Sequence, residues 1–164
     1  MKAEILLVNM NTTDILQVLQ DVKDFGGVRP SDMLQNCEVN KFYIVNTDPS
    51  TKPGQHWVAV YLKRGCCEFF DSLGQAPAQY SKNFNDLLFI HGPSYMYTNY
   101  RLQNYGSSVC GQYCIFYIMM RSQGYSLYNI VNFFNTHSLK FNDSVVLHFY
   151  QNIFKTANKF SFYP

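Results

Sequence analysis

One segment of this sequence joins an almost uninterrupted apolar run to a polar loop directly before it. Residues 109–121 are the most apolar stretch of the chain, whereas residues 104–108 form a polar loop. A helix that is apolar on every side is buried in the core of a globular protein. Gly124 follows as a helix stop signal. The sequence therefore predicts a central buried helix that begins close to Cys110.

The rest of the chain alternates between strand-like and helix-like segments. Val, Ile and aromatic residues between turn signals predict strands at residues 39–45, 57–62, 66–70 and 94–103. The short turn between the second and third of these makes them a hairpin. Apolar residues at helical spacing predict helices at residues 14–25, 81–89, 127–134 and 143–157. We therefore expect an α+β fold, a small and mostly antiparallel sheet packed against helices, in a single domain over residues 1–164.

Composition narrows the class of protein. Of 164 residues, 47% are hydrophobic and 15% are charged, which is typical of a globular domain and not of a disordered tail. The net charge is only +2, and the longest basic run is Lys63-Arg64, which disfavours a nucleic-acid-binding patch. The apolar stretches at residues 5–8 and 114–120 are too short for a secretion signal and for a membrane span. We therefore expect a soluble, intracellular protein with no membrane contact.

The cysteines do not have the pattern of a disulfide framework or of a zinc site. Five are present, and an odd number without a secretion signal disfavours paired disulfides. Cys66 and Cys67 are adjacent, so on a strand they would face opposite sides of a sheet. None of the cysteines forms a C-x-x-C motif or has a histidine close by in sequence. We therefore expect buried thiols, with no metal and no other cofactor.

Cys110 occupies a special position among these thiols. It lies where the polar loop enters the buried helix, so it meets unpaired backbone N–H groups and the positive end of the helix dipole. Both favour a thiolate. Gly111 next to it leaves room for a peptide carbonyl, which predicts that Gly111 contacts a substrate. By position alone, a core cysteine at the start of an apolar helix is an equally good interpretation.

A histidine and an aspartate lie at matching ends of the predicted hairpin. His56 stands where a loop enters the first strand, and Asp71 stands where the second strand ends. These two positions are side by side in a hairpin, so the carboxylate would fix the imidazole tautomer and stabilise its cation. A turn-forming role for Asp71 is compatible with this. Glu68 and Asp86 are rival carboxylates away from the strand end, and we expect surface or partly packed positions for the other histidines, His91, His137 and His148.

Gln103 precedes Cys110 across the short polar loop. That loop can return the chain so that the Gln103 amide faces the thiol. The side-chain amide and the backbone N–H of Cys110 would then stabilise an oxyanion. An exposed polar residue at the end of a strand is the other interpretation of Gln103.

The order His, Asp, Gln, Cys resembles a known family, the adenovirus maturation proteases (adenains), which share a clan with the ubiquitin-like-protein proteases. The resemblance covers residues 14–121 and extends to compact proteases of virophages and virus-like transposons. The motifs that carry it are Ile-Val-Asn-Thr at 44–47, Gly-Gln-His-Trp at 54–57, Phe-Phe-Asp-Ser-Leu-Gly at 69–74, Gln103, and the Cys-Gly that opens the aromatic helix at 110–116.

The resemblance implies a papain-type fold and a role for each motif residue. It makes Cys110 the nucleophile, His56 the general base, Asp71 the group that orients this base, and Gln103 an oxyanion donor. Trp57 matches the aromatic residue beside the histidine, which implies a substrate contact. Adenovirus enzymes usually carry Glu at the position of Asp71, whereas the ubiquitin-like-protein proteases carry Asp.

The resemblance also implies an activity, partners and a location. The expected activity is that of a cysteine endopeptidase, which cleaves viral structural precursors at glycine-containing sites during virion maturation. The enzyme would be a monomer acting on polypeptide in the virion and the host-cell interior, in the nucleus or a cytoplasmic virus factory. Adenains are activated by a disulfide-linked viral peptide and by DNA. Residues 92–102 contain no cysteine for such a link, so a peptide activator would bind non-covalently, and the modest charge gives DNA stimulation no support.

Three other interpretations remain open. The first is a protease that removes ubiquitin-like modifiers, since the clan shares both the triad and a preference for glycine. The second is a non-catalytic peptide- or DNA-binding module, against which the complete set of four residues speaks. The third uses Cys37 as the nucleophile, but no glycine-rich loop or apolar helix follows that residue.

Overall fold

The computed structural model of the chain describes residues 10–134 and 136–160, the last four of them as backbone only. Over these residues the strands are β1 (Phe25–Pro30), β2 (Phe42–Asn46), β3 (Trp57–Tyr61), β4 (Cys67–Phe70) and β5 (Tyr95–Tyr97). The helices are α1 (Thr12–Leu19), α2 (Lys82–His91), α3 (Cys110–Ser122), α4 (Leu127–Phe133) and α5 (Leu139–Phe160). The apolar stretch at residues 5–8 lies outside the described part.

The strands form one sheet in the order β1-β2-β3-β4-β5. The central pairs, β2 with β3 and β3 with β4, are antiparallel, as a hairpin requires. The two edge pairs, β1 with β2 and β4 with β5, are parallel. The predicted α+β class is therefore confirmed, and the structure adds that both edges of the antiparallel centre are closed by parallel strands.

Helices cover both faces of this sheet. Alternating side chains of β2 and β3 enter two separate apolar clusters, because successive residues of a strand point to opposite faces. Ile44 and Ala59 belong to the cluster under α3, whereas Val45 and Val58 belong to the cluster under α2. The candidate site lies at one end of this sheet, where β2 ends, β3 begins and β4 ends.

The predicted helix over residues 14–25 is wrong in its second half. Helix α1 begins after Asn11, whose side chain accepts a hydrogen bond from the backbone N–H of Asp14, and it ends at Leu19. Asp24 has a left-handed φ of 64°, which turns the chain into β1. The glycines and Pro30 of β1 are tolerated because an edge strand bonds to a neighbour on one side only. This strand was missed because its composition suggests a turn.

The predicted strand over residues 94–103 is also shorter in the structure, where β5 has three residues. The chain then leaves the sheet and turns back toward the end of β4. The backbone N–H groups of Leu102 and Gln103 both donate to the carbonyl of Ser72, over 2.9 and 3.0 Å. These bonds explain why the strand ends early and why Gln103 lies beside β4.

Helix α3 is the buried centre of the fold, as predicted. Residues 110–118 are all buried, and the ring of Tyr117 stacks on Phe70 with centroids 4.7 Å apart. At the far end of α3, Arg121 donates from Nε and Nη2 to the two carboxylate oxygens of Glu68, each over 2.9 Å. These contacts fasten α3 to β4. No helix of the described residues has the length and apolarity needed to cross a membrane.

Candidate active site

The antiparallel pairing of β3 with β4 brings His56 and Asp71 together. Ala59 pairs with Phe70, so His56, just before β3, and Asp71, just after β4, lie at the same end of the hairpin. The distance from His56 Nε2 to Asp71 Oδ1 is 2.7 Å, and both side chains are buried. The hairpin argument from the sequence therefore gives the observed neighbours.

Asp71 is held by four hydrogen bonds in a fully buried position. Besides His56, its carboxylate accepts from the backbone N–H groups of Leu73 and Gln75 over 2.9 Å each, and from the Tyr80 hydroxyl over 2.7 Å. Burial alone would raise the pKa of Asp71, but the hydrogen bond and charge of His56, with these donors, hold the pKa below its usual value. The carboxylate is therefore ionised and fixed in orientation.

His56 lies between this carboxylate and the thiol of Cys110. Burial alone would lower the pKa of His56, but hydrogen bonds to Asp71 and to Cys110 raise it to about 9. Because Nε2 faces Asp71, the other ring nitrogen, Nδ1, is the one left for the sulfur. An imidazolium at neutral pH, next to the sulfur, stabilises a thiolate through its charge.

Cys110 is the first residue of α3, with Val109 as the N-cap. It therefore meets the positive end of the helix dipole, as its position in the sequence predicts. Three of the other four thiols, those of Cys37, Cys67 and Cys114, pack inside the apolar clusters. Cys114 is inside the core, and burial raises its pKa well above the usual value. Burial also raises the pKa of Cys67 to about 11 and that of Cys37, which packs against the sheet face under α2.

Gln103 is buried, and both ends of its side-chain amide are hydrogen-bonded. Its Oε1 accepts a hydrogen bond from the Ser72 hydroxyl over 2.7 Å. Its Nε2 donates to the carbonyl of Ser107 over 2.7 Å. Gln103, His56 and Cys110 line the same cleft. The structure thus places the predicted oxyanion donor and the predicted nucleophile in one cleft.

Trp57 and Gly111, the predicted substrate contacts, both neighbour Met10. Trp57 lines the cleft, and its indole N–H donates to the Met10 carbonyl over 3.0 Å. A side chain on Gly111 would meet the Met10 sulfur at 2.8 Å. Gly111 therefore gives room to Met10, and its contact with a substrate stays a prediction.

The rival residues have other partners in the structure. Glu68 is bound to Arg121 and Tyr117 at the far end of α3. Asp86 forms an exposed ion pair with Lys82 on α2. None of His91, His137 and His148 lines the cleft.

Three residues that hold the site were missed from the sequence: Ser72, Tyr80 and Ser107. Ser72 directly follows Asp71, so its place at the strand end was an available signal. Tyr80 sits in an irregular loop nine residues further on, and nothing in the pattern singles it out. Ser107 contributes a backbone carbonyl, which any residue would supply.

These groups surround a cleft of about 830 Å³ at the junction of α3 and the sheet. A second wall comes from the β2–β3 loop with Thr47, Gly54 and Gln55. A thiol, an imidazole and a side-chain amide line the cleft, and the buried carboxylate of Asp71 lies behind the imidazole. This is the set of groups needed for acyl transfer through a thioester. Among the described residues, no cluster of three or more His, Cys, Asp or Glu side chains could bind a metal ion.

Comparisons with known proteins agree with this chemistry. The chain is 32% identical to "Cysteine protease S273R" of African swine fever virus (isolate Tick/Malawi/Lil 20-1/1983) over 125 residues, which cover 70% of this chain and 43% of the relative. It is equally similar to "SUMO-1 cysteine protease S273R" of isolate Tick/South Africa/Pretoriuskop Pr4/1996. The chain thus spans less than half the length of these curated relatives. No family model matches the sequence.

A solved structure shares the fold. The crystal structure of the African swine fever virus pS273R protease superposes with a TM-score of 0.54 at 22% identity, and the match covers 87% of this chain and 66% of that one. The predicted papain-type architecture is confirmed at the level of fold. The sequence comparison adds homology to a viral cysteine protease, without singling out the adenovirus branch. We conclude that the chain is a homologue of the S273R cysteine proteases of African swine fever virus.

Proposed function

We propose that this chain is a cysteine protease that cleaves polypeptide next to glycine, with the whole of residues 1–164 acting as one protease domain. The observation that carries the proposal is the contact chain from Cys110 through His56 to Asp71, with Gln103 in the same cleft. The homology to cysteine proteases supports it independently.

The proposed reaction has two halves. The Cys110 sulfur attacks the carbonyl carbon of the scissile bond, and the Gln103 amide and the Cys110 N–H donate to the resulting oxyanion. The His56 imidazolium then gives its proton to the leaving amine, the C–N bond breaks, and a thioester remains. His56 next removes a proton from water, which attacks the thioester, and the C–S bond breaks to release the acid and to restore the thiolate beside the His56 imidazolium.

The preferred substrate class is a ubiquitin-like modifier joined to another protein. Two observations favour it over the other candidates. Several relatives carry the name "SUMO-1 cysteine protease". In addition, Asp71 is the acid that the ubiquitin-like-protein proteases use, according to the resemblance stated above. We propose that Trp57 and Met10, which line the cleft together with Cys110, exclude larger side chains next to the scissile bond and so select glycine.

The second candidate is the maturation of viral structural precursors. The viral origin of the relatives and the adenain-like motifs favour it. In that case the enzyme would act in the virion and the interior of the infected cell, with a non-covalent peptide activator if it has one. A non-catalytic peptide- or DNA-binding module would need no connected Cys, His and Asp, so we rank it last.

A side-by-side cleavage assay separates these candidates. The substrates are SUMO-1 carrying a C-terminal peptide extension, and a set of viral precursor peptides with internal glycine pairs, each with a matched version in which the glycine before the cut is valine. We expect faster cleavage of the SUMO-1 fusion and slower cleavage of every valine version. Cys110→Ala must abolish cleavage of all of them. Preferential cleavage of the precursor peptides would select the second candidate, and equal rates on glycine and valine would reject the selectivity.

Thiol labelling tests the site without a substrate. Iodoacetamide at limiting concentration should modify Cys110 first, as read by mass spectrometry. His56→Ala should remove this selectivity, because the imidazolium that stabilises the thiolate is gone. Uniform labelling of the five cysteines, together with no cleavage of any substrate, would leave the binding module as the better interpretation.

A further inference from the structure

Gln103 has a donor and an acceptor at the end of its side chain, and only one orientation of its amide can serve an oxyanion. The carbonyl of Ser107 can only accept, so the atom that faces it at 2.7 Å must be Nε2. Oε1 therefore faces Ser72, and the Ser72 hydroxyl must donate to it, again over 2.7 Å. Within the described residues, the side-chain amide of Gln103 makes these two hydrogen bonds. The second N–H of Nε2 is therefore left to donate into the cleft.

The two bonds differ in what they contribute. Ser107 supplies a backbone carbonyl from the loop before Cys110. Ser72 supplies the side chain of a fully buried residue in the turn that follows β4. A buried hydroxyl with a 2.7 Å contact fixes the torsion of the Gln103 amide, whereas a lost bond at Oε1 would leave a buried acceptor unpaired and free to rotate.

We propose that Ser72 is a positioning residue, which holds the Gln103 amide with one N–H directed at the oxyanion formed on Cys110. This inference rests on the proposed function, because it names a residue that the oxyanion site needs. It also gives a physical meaning to the adjacent pair at the end of β4. Asp71 orients the base, and Ser72 orients the oxyanion donor. Two adjacent residues directly after β4 therefore position both His56 and Gln103.

Ser72→Ala is a clean substitution for this purpose. It removes one oxygen atom and keeps the Ser72 carbonyl, which accepts from the N–H groups of Leu102 and Gln103. Losing an oxyanion donor outright costs about 100- to 1,000-fold in rate. A donor that is present but no longer oriented should cost part of that, about 10- to 100-fold in kcat, with little change in KM.

The experiment compares two reactions of Cys110 in four proteins: wild type, Ser72→Ala, Gln103→Ala and the double variant. Alkylation by iodoacetamide needs the thiolate but forms no oxyanion. Capture of N-acetyl-glycinal does form one: the thiolate sulfur of Cys110 bonds to the aldehyde carbon, and the π electrons of the C=O bond move to the oxygen. The His56 imidazolium can then protonate this tetrahedral oxyanion to the neutral hemithioacetal. Hydrolysis of the best glycine substrate is measured in parallel.

We expect Ser72→Ala to weaken aldehyde binding and kcat by about 10- to 100-fold and to leave alkylation within about twofold of wild type. Gln103→Ala should lose more, and the double variant should match Gln103→Ala, because Ser72 acts only through the amide. Thr98→Val, which removes another buried hydroxyl that has no partner among the described atoms, should leave aldehyde binding and kcat unchanged.

Three results would overturn the proposal: wild-type aldehyde binding by Ser72→Ala, an additive loss in the double variant, or an equal loss of alkylation. The last would show that Ser72 supports the Cys110–His56 pair and not the amide. Aldehyde capture does not depend on a known substrate. If the wild-type protein captures the aldehyde but hydrolyses no substrate, that result counts against the proposed function alone. The comparison of aldehyde binding between wild type and Ser72→Ala would still test whether Ser72 positions the Gln103 amide.

Discussion

Tyr80 donates its hydroxyl proton to Oδ2 of Asp71 across 2.7 Å. The same ring stacks on the His56 imidazole, with centroids 5.8 Å apart and planes at 27°. Its other neighbours are Phe69 and Phe84, which anchor the ring in the cluster under α2. Tyr80, which lies in the irregular loop, therefore contacts both His56 and Asp71. Its hydrogen bond to Oδ2 restricts rotation of the Asp71 carboxylate.

Tyr80→Phe should slow hydrolysis by about 2- to 10-fold, the kinetic equivalent of one hydrogen bond. The ring and its packing stay, so the free energy of unfolding should change little. Because the Tyr80 hydroxyl helps lower the pKa of Asp71, its removal should raise that pKa and move the acidic limb of the rate profile to higher pH. The measurement is kcat/KM against pH, with Tyr105→Phe, an exposed tyrosine, as control. An unmoved acidic limb would contradict the role.

Hydrolysis should fall on the alkaline side with a midpoint near the His56 pKa of about 9. Above that pH the imidazolium that protonates the leaving amine is lost, whereas the thiolate remains. Alkylation of Cys110 should therefore not fall with hydrolysis. This divergence between two reactions of one sulfur is the signature of His56 acting as the acid.

Asp71→Asn should move that alkaline limb to lower pH, because the carboxylate is one of the groups that raise the pKa of His56. The substitution keeps the shape of the side chain and removes its charge. Asp86→Asn, on the exposed face of α2, is the matched control and should leave the profile as in wild type. If Asp71→Asn and Asp86→Asn have the same alkaline midpoint of hydrolysis, Asp71 serves only as a turn residue.

The sequence was most informative where local rules fix position. A hairpin places its two ends together whatever surrounds it, so His56 and Asp71 could be paired without coordinates. An apolar helix after a polar loop likewise located the start of α3. Both arguments use neighbours in sequence, and both agree with the structure at the level of placement.

The missed features depend on contacts between distant segments. Strand β1 has glycines and a proline that suggest a turn, and it is a strand because β2 offers it a partner. Tyr80 and Ser72 matter through single hydrogen bonds that no periodicity encodes. The short β5 is a further case. The backbone after it leaves the sheet and donates to the Ser72 carbonyl through the N–H groups of Leu102 and Gln103.

Gly111→Ala separates two roles for this glycine. The added methyl group would lie 2.8 Å from the Met10 sulfur and 3.1 Å from its Cβ, so Met10 must move. We expect a loss of about 1–2 kcal/mol in the free energy of unfolding, typical of overpacking. Met10→Ala in the same protein should recover part of it. Unchanged stability with a higher KM would instead support the direct substrate contact that the sequence predicts.

Arg121→Met tests how α3 is fastened to the sheet. Glu68 is 3% exposed, so losing the guanidinium leaves its carboxylate buried with only the Tyr117 hydroxyl, 2.6 Å away, among the donors described here. Breaking a buried pair on one side costs about 3–5 kcal/mol, and the remaining hydroxyl puts our expectation near the lower value. Urea unfolding measures it. Glu68→Gln with Arg121→Met should be more stable than Arg121→Met alone, since no charge is then stranded. If the double variant is the less stable of the two, the stranded charge is not the cause, and lost packing of the arginine over Tyr61 is the better explanation.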